Sequence, residues 1–227
     1  MANARVLSVS TGREKADPRI RAALGRTAID KRPLAARVRV TRLGLDGDEQ
    51  ADQENHGGYE QAVYAYARED LDWWVEQLGR ELPDGMFGEN ITTAGLDLSG
   101  ALIGETWRLG TALVQVTAPR VPCVTFAGWM DEKRWVKRFA DAGRPGGYLR
   151  VLEEGVVERG DPVEVLDQPA ERVTLAESMR AFYGDADLMR RLLTVEGRGA
   201  DWDEAALSVL GPSAPDRSAP DRSAAAG

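Results

Sequence analysis

Apolar and polar positions alternate with a period of two through much of the chain, and glycine or Gly-Asp pairs punctuate the runs. Arg37-Val38-Arg39-Val40 sets charge against apolar residues. Thr106-Trp107-Arg108-Leu109, Gly110-Thr111 and Ala112-Leu113-Val114-Gln115-Val116 together read as a hairpin. Tyr148-Leu149-Arg150-Val151-Leu152, Gly155-Val156-Val157 and Pro162-Val163-Glu164-Val165-Leu166 follow at short spacing. Two segments, Ile103 to Trp107 and Arg159 to Val163, repeat one turn-into-strand pattern. Many short strands joined by tight turns predict a closed or nearly closed β-barrel rather than a doubly wound sheet.

Helical periods interrupt this pattern. Between Glu69 and Gly79, Leu71, Trp74, Val75 and Leu78 form one apolar stripe, and Gly79 supplies a stop. Asp131 to Phe139 is a second, weaker helix, and the aromatic stripes of both read as core. After Leu166 the period is helical only. Thr174-Leu175-Ala176-Glu177 is a capping box, and helices are predicted from it, over Asp187 to Val195, and over Asp201 to Leu210, with Asp201 and Glu204 at cap and third position. Helices this short need a surface to dock on. Beyond Gly211, Ala-Pro-Asp-Arg-Ser occurs twice in succession, a low-complexity tail expected to be disordered.

Composition narrows the classes. The 227 residues are 43% hydrophobic and 29% charged, enough for a real core in a soluble protein. No apolar run approaches the ~18 residues of a membrane span, and Met1 to Arg5 lacks a signal-peptide pattern. One cysteine makes no internal disulfide, so a cytoplasmic location is expected. Residues 1–42 carry 11 Lys and Arg against 3 Asp and Glu, while the rest carries 29 − 11 = 18 against 37 − 3 = 34. The basic stretch suits either a small phosphorylated anion or a solvated strand face. The overall charge of -8 argues against nucleic acid as a partner.

Two turns concentrate the candidate chemistry. Cys123, the only cysteine, ends Pro119-Arg120-Val121-Pro122-Cys123, where two prolines fix φ and remove backbone donors. That framing suits a sulfur aimed at a metal or an electrophile better than an inert core thiol. His56, the only histidine, lies in Asn55-His56-Gly57-Gly58. One cysteine and one histidine make a structural zinc site improbable, whereas a single thiolate suffices when an organic cofactor supplies the other ligands. A Cys123–His56 hydrolase pair is disfavoured, because Val124-Thr125-Phe126 reads as continued chain without a helix start after the thiol. Glycine-rich turns at 44–52 and 87–90 allow close backbone approach to a ligand, yet none is a GxGxxG or Walker sequence.

In order along residues 4–167, Thr27 to Pro33, Gly44 to Asp52, His56-Gly57-Gly58, Gly88-Glu89-Asn90, Ile103-Gly104-Glu105 and Pro119 to Cys123 resemble the MOSC domain family, named for the C-terminal domain of molybdenum cofactor sulfurases. The resemblance is close to its stand-alone YiiM-like branch, including the helices after residue 170. It implies a mainly β, MOSC-type β-barrel with interspersed helices over 1–168, a three-helix domain over 169–211 and the tail over 212–227. It also implies molybdenum cofactor (a molybdopterin) and reduction of N-hydroxylated compounds such as hydroxylaminopurines and amidoximes. Two departures, Tyr59-Glu60 in place of Pro-Asp and Ile103-Gly104-Glu105 in place of the usual Gly-Asp, put substrate range in question more than cofactor binding.

Carried onto this chain, the resemblance makes Cys123 the metal ligand and a catalytic residue. Arg120, Lys31 and Arg150 become partners for the pterin phosphate. His56, with Asn90, would bond the cofactor or deliver a proton to the leaving oxygen. Gln50 joins the cofactor set and, with Asp48, shapes the turn beneath. One cysteine holds no iron–sulfur cluster and no flavin motif is visible, so electrons would come from an external flavin reductase; a homodimer is possible. The rival class is a carrier or delivery module for molybdenum cofactor or sulfur that turns nothing over. A pyridoxal-phosphate-linked sulfur-handling role finds no supporting lysine context.

Overall fold

A computed structural model describes residues 4–20, 25–51 and 57–211. Thirteen strands are present among these: β1 (Arg5–Thr11), β2 (Lys15–Ala16), β3 (Arg26–Thr27), β4 (Arg32–Pro33), β5 (Val38–Thr41), β6 (Gly44–Leu45), β7 (Val63–Ala67), β8 (Ile91–Ala94), β9 (Thr106–Leu109), β10 (Ala112–Pro119), β11 (Gly147–Glu153), β12 (Gly155–Val157) and β13 (Val163–Asp167). Eight of them form one sheet in the order β13-β9-β10-β11-β7-β8-β1-β4. Every pair in it is antiparallel except β7 and β8. That exception follows from the connection, since parallel neighbours need a crossover and helix α1 (Arg68–Leu78) provides it. A small sheet, β12-β5-β6, and the hairpin β2-β3 complete the pairing.

The two ends of the large sheet approach one another. Arg5 in β1 bridges Pro162, just ahead of β13, and Val6 N donates to Asp161 O at 2.9 Å while Val163 N donates to Ala4 O at 3.0 Å. This is a single bridge rather than a ladder, and the observed architecture is a sheet-dominant mixed fold, not a demonstrated closed barrel. The predicted 106–116 hairpin is present as β9 and β10. The two repeated turn segments lead into β9 and β13, which pair with each other.

Two apolar clusters hold the elements. The aliphatic one joins Val6, Val40, Val63, Ile91, Val114 and Leu149 on the strands to the helices α4 (Leu175–Phe182), α5 (Ala186–Leu192) and α6 (Trp202–Leu210), through Leu175, Met189, Leu192 and Trp202. The capping box at Thr174 and Glu177 forms as predicted. Asp201 departs from expectation: it stands at the cap of α6 but makes no side-chain cap bond, accepting Gln61 Nε2 at 3.2 Å instead. Trp202 Nε1 donates to Thr117 O at 2.9 Å, so α6 is both buried on and hydrogen-bonded to β10. The tail after Gly211 lies outside the described residues.

The second cluster is aromatic and includes Tyr66, Trp74, Phe87, Phe126, Trp135 and Phe139. Trp74 and Trp135 centroids are 4.7 Å apart, and Phe87 meets Phe126 edge-on at 5.3 Å. The cluster anchors α2 (Val124–Met130) and α3 (Trp135–Ala142). Helix α2 corrects the reading of 124–126 as continued chain: Cys123 is its N-cap, and Ala127 N bonds Cys123 O at 3.0 Å. Val124 and Thr125 have weak helix propensity, but burial of Phe126, Trp129 and Met130 overrides it. Asp131, expected to begin the next helix, has φ 53° and ends α2, so α3 starts at Trp135.

Candidate functional site

Four sequence-distant segments meet around Cys123. They are the turn after β3, the turn after β6, the Gly88–Asn90 turn before β8 and the Arg120–Cys123 turn after β10. Together with Tyr64 of β7 and Tyr148 of β11 they line a cavity of about 140 Å³, the inner chamber. Asp48 is its hub. Its carboxylate accepts Gly12 N at 2.8 Å, Lys31 Nζ at 2.5 and 2.6 Å and Asn90 Nδ2 at 2.8 Å. The Lys31 and Asp48 side chains are only 9% and 4% exposed. Burial pushes the Lys31 ammonium below its usual range, outweighing Asp48, and Arg120 adds to the lowering. Asn90 in turn donates to Ser10 O and accepts Tyr64 N at 3.1 Å, tying the turn to β1 and β7.

Arg120 is the unusual group. It is 8% exposed, and its guanidinium lies 4.3 Å from the Phe126 ring centroid and 5.0 Å from that of Tyr64. Its Nε is buried with no hydrogen-bond acceptor, and no carboxylate among the described residues forms an ion pair with it. A buried cation ordinarily has a partner, which makes Arg120 the group of this chamber best placed to receive an anion. Gly88 makes room for it: φ is +75°, and a Cβ there would lie 2.9 Å from Ile29 Cγ1 and 3.5 Å from Arg120 Nη1.

Glu89 is fully buried behind that turn, accepting Gly85 N at 2.6 Å, Phe87 N at 2.9 Å and Thr92 Oγ1 at 3.1 Å. Burial raises its carboxyl from 4.5 to about 7 despite these bonds. Burial likewise pushes the Tyr148 phenol up, with Arg120 opposing.

Of the expected site residues, Cys123, Arg120, Lys31, Asn90 and Gln50 all line the chamber. Gln50 Oε1 accepts Gly58 N at 3.3 Å, and the amide packs where a side chain on Gly57 would stand, 2.1 Å from its Cβ position. His56 lies outside the described residues. Arg150, expected beside the phosphate, is outside the chamber. It faces Glu60 at 3.3 Å, Gln115 Oε1 and Gly197 O at 3.1 Å, because its strand position points toward the C-terminal helices. Sequence reasoning gave Asp48 only a turn-shaping part and assigned nothing to Glu89, Tyr64 or Tyr148. The signal for Glu89 was an acid directly after Met86-Phe87-Gly88 and before Asn90, at the entry to β8.

Cys123 is half-buried and also lines a second, larger cavity of about 710 Å³, the vestibule, between the β10–α2 turn and the C-terminal helices. Gly57, Gln61, Val121 and Tyr148 are likewise common to both. Among the described residues no group of three or more His, Cys, Asp or Glu could hold a metal ion. One soft sulfur thus stands on the same wall as a buried cation whose Nε has no hydrogen-bond acceptor.

These features define a sheet-dominant protein whose inner chamber carries one thiol together with the cations Lys31 and Arg120. The MOSC domain model matches residues 52–164. YflK of Bacillus subtilis, an uncharacterized protein, is 38% identical over 179 residues, covering 78% of this chain and 81% of that one. YiiM of Escherichia coli is 32% identical over 186 residues with the same coverages. A Gibberella moniliformis protein named a reductase is 33% identical over 172 residues, 72% of this chain but 29% of that one. The crystal structure of YiiM from Geobacillus stearothermophilus matches with TM-score 0.75 and 30% identity, over 91% of this chain and 99% of that one. The chain belongs to the MOSC domain family, in its YiiM-like branch.

Proposed function

We propose that this protein is a molybdenum-cofactor-dependent oxidoreductase that reduces N-hydroxylated compounds, with electrons from a separate flavin-bearing reductase. The observation carrying the reading is the juxtaposition of Cys123 with Arg120, a buried cation whose Nε has no partner, on one chamber wall. In this reading Cys123 ligates the metal, and Arg120 and Lys31 hold the anionic part of the pterin through charge-assisted bonds. Asn90 and Gln50 fix the turns beneath it. The bound cofactor supplies two-electron redox chemistry for the balance R–NHOH + 2e⁻ + 2H⁺ → R–NH₂ + H₂O.

The chain's own part is binding, orientation and protons. Asp48 holds Lys31 and Asn90 in place before any ligand arrives, so little ordering remains on binding. Tyr148 keeps its proton and stands on both cavities beside Cys123. His56 is the proposed proton donor to the leaving oxygen. The fungal relative's name supports oxidoreductase chemistry, and the shared region being 29% of its length leaves a place for further redox parts there. Among the described residues no helix is long and apolar enough to cross a membrane; the cytoplasmic location is proposed on the single cysteine. We also take the sheet to close as a barrel at the Arg5–Pro162 bridge, with 169–211 as an appended helical domain.

The test is to produce the protein in a host that makes molybdenum cofactor and to measure molybdenum and pterin per chain beside Cys123→Ser. Near-stoichiometric loading in the wild type, with metal lost in the variant and reduction of an amidoxime by a flavin reductase lost with it, is expected. Metal and pterin absent from the wild type, in a host that loads another molybdoenzyme, would sink the reading. Loading without turnover would favour a carrier.

A further inference from the structure

We propose that a third cavity, the cleft between α3 and α4, binds a small organic acid, a carboxylate carried on a flat apolar body. Its lining has no described residue in common with the inner chamber or the vestibule, so the proposal stands independently of the reductase reading.

At about 940 Å³ the cleft is in the size range of small-molecule sites. Ala127, Trp135, Ala140, Met179 and Tyr183 give it apolar and aromatic surface. Trp135 and Met179 are buried members of the aromatic cluster, so this part of the wall is fixed before a ligand arrives. The charges on the cleft are unequally matched. Glu132 pairs with Arg138 at 3.3 Å and with Arg80 at 3.7 Å. Asp141 pairs with Lys137 at 2.9 Å, and Glu177 accepts Thr174 N at 3.0 Å in the capping box. All three acids are thus satisfied. Arg134 and Arg180 are exposed, and neither side chain forms an ion pair or hydrogen bond with any described residue. On a chain of net charge -8, two cations without counter-ions meet on one apolar cleft.

Trp135 supplies a second, independent observation. The other buried tryptophans each give Nε1 to an acceptor: Trp74 to Tyr66 Oη at 3.1 Å, Trp107 to Glu105 at 2.5 Å, Trp129 to Met86 O at 2.7 Å and Trp202 to Thr117 O at 2.9 Å. Trp135 is 1% exposed, its Nε1 has no acceptor, and it is the one tryptophan among the described residues that lines the cleft. A donor shut off from water and left unpaired costs free energy. A carboxylate is the strongest acceptor a ligand can bring to it. Arg134 stands at the N-cap of α3 with φ 57°, a left-handed backbone that few non-glycine residues adopt. An inorganic anion would serve the arginines but leave the apolar wall wet. A neutral aromatic would cover that wall but leave the arginines unmatched. An organic acid does both.

The test titrates cinnamate and its neutral isostere cinnamamide into the full chain by calorimetry. Cinnamate is expected to bind about tenfold more tightly than the amide, with the ratio falling to within about twofold in Arg134→Gln with Arg180→Gln. Both arginines are exposed, so the double variant should keep its fold, checked by its melting temperature. In isotope-labelled protein, cinnamate should move the indole N–H resonance of Trp135 toward the hydrogen-bonded range. That resonance is the one missing from Trp135→Phe, or is assigned through the backbone if that variant does not fold. Arg120→Met, which removes a cation of the inner chamber, should leave cinnamate affinity unchanged. Equal affinities for acid and amide, a ratio unchanged in the double variant, or a Trp135 resonance that stays in place overturns the proposal. Loss of cinnamate binding in Arg120→Met also overturns it, since the acid would then sit in the chamber. A wild-type dimer that the double variant splits, seen by light scattering, overturns it too and makes the cleft an interface between two copies.

Discussion

On one side of Cys123 the inner chamber is made of buried groups bonded to each other, and on the other the vestibule is made of exposed groups bonded to little. Lys31, Asp48 and Asn90 are tied through Asp48 by bonds of 2.5 to 2.8 Å, the directly bonded pairs being 17 and 42 positions apart in the sequence. Asp201, by contrast, accepts a bond from Gln61, and Glu204 is exposed on the wall that α6 gives the vestibule. A site for an invariant ligand profits from rigid, desolvated charges, because each interaction is stronger where water is excluded. A site for varied substrates profits from exposed groups that can be exchanged without unfolding the protein. The difference predicts that substitutions in the chamber's bonded charge network disturb stability and binding together, whereas substitutions in the vestibule change binding alone.

Lys31→Met is the most severe way to break the chamber. It leaves Asp48 buried without its cation and should cost about 3–5 kcal/mol in chemical denaturation. Lys31→Met with Asp48→Asn should recover much of that loss, since the stranded charge is gone. A single variant as stable as wild type would show the pair to be incidental.

Glu89→Gln comes next. Because the folded-state carboxyl sits at about 7 against an ordinary 4.5, the native protein binds more protons than the unfolded chain between those values. Stability should therefore fall as pH rises from about 4.5 to about 7 and level off above, by at most roughly 3 kcal/mol. The variant should flatten that slope in melts taken across the range. A wild-type slope of opposite sign would overturn the assignment.

Arg120→Met sharpens the comparison from the other direction. This cation has no carboxylate to strand, so stability should change by less than about 1 kcal/mol or rise. Affinity for inorganic phosphate, measured by calorimetry, should fall at least about tenfold. The smallest stability effect is expected in the vestibule, where Asp201→Asn with Glu204→Gln should stay within about 0.5 kcal/mol of wild type.

Much of this was legible before any coordinates. Local pattern marked β9 and β10, the β11–β13 run, α1 with its Gly79 stop, and the capping box of α4, because strand alternation, helical stripes and caps are properties of neighbouring residues. The framing prolines singled out Cys123 for the same reason. Helix α2 was missed, since Val124-Thr125-Phe126 is helical only because the aromatic cluster buries Phe126, Trp129 and Met130.

The chain by itself determined its elements, its one thiol and the ordered motifs that place it in the MOSC domain family. Only the tertiary structure decided which charges are buried and with whom. It put Lys31 on Asp48, left Arg120 Nε without an acceptor, and turned Arg150 away toward Glu60 and Gln115. It also brought α6, about 80 residues after Cys123, to wall the second cavity. The physical reason is that charge and burial act through distance in space and through the exclusion of water. Neither is a function of separation along the chain.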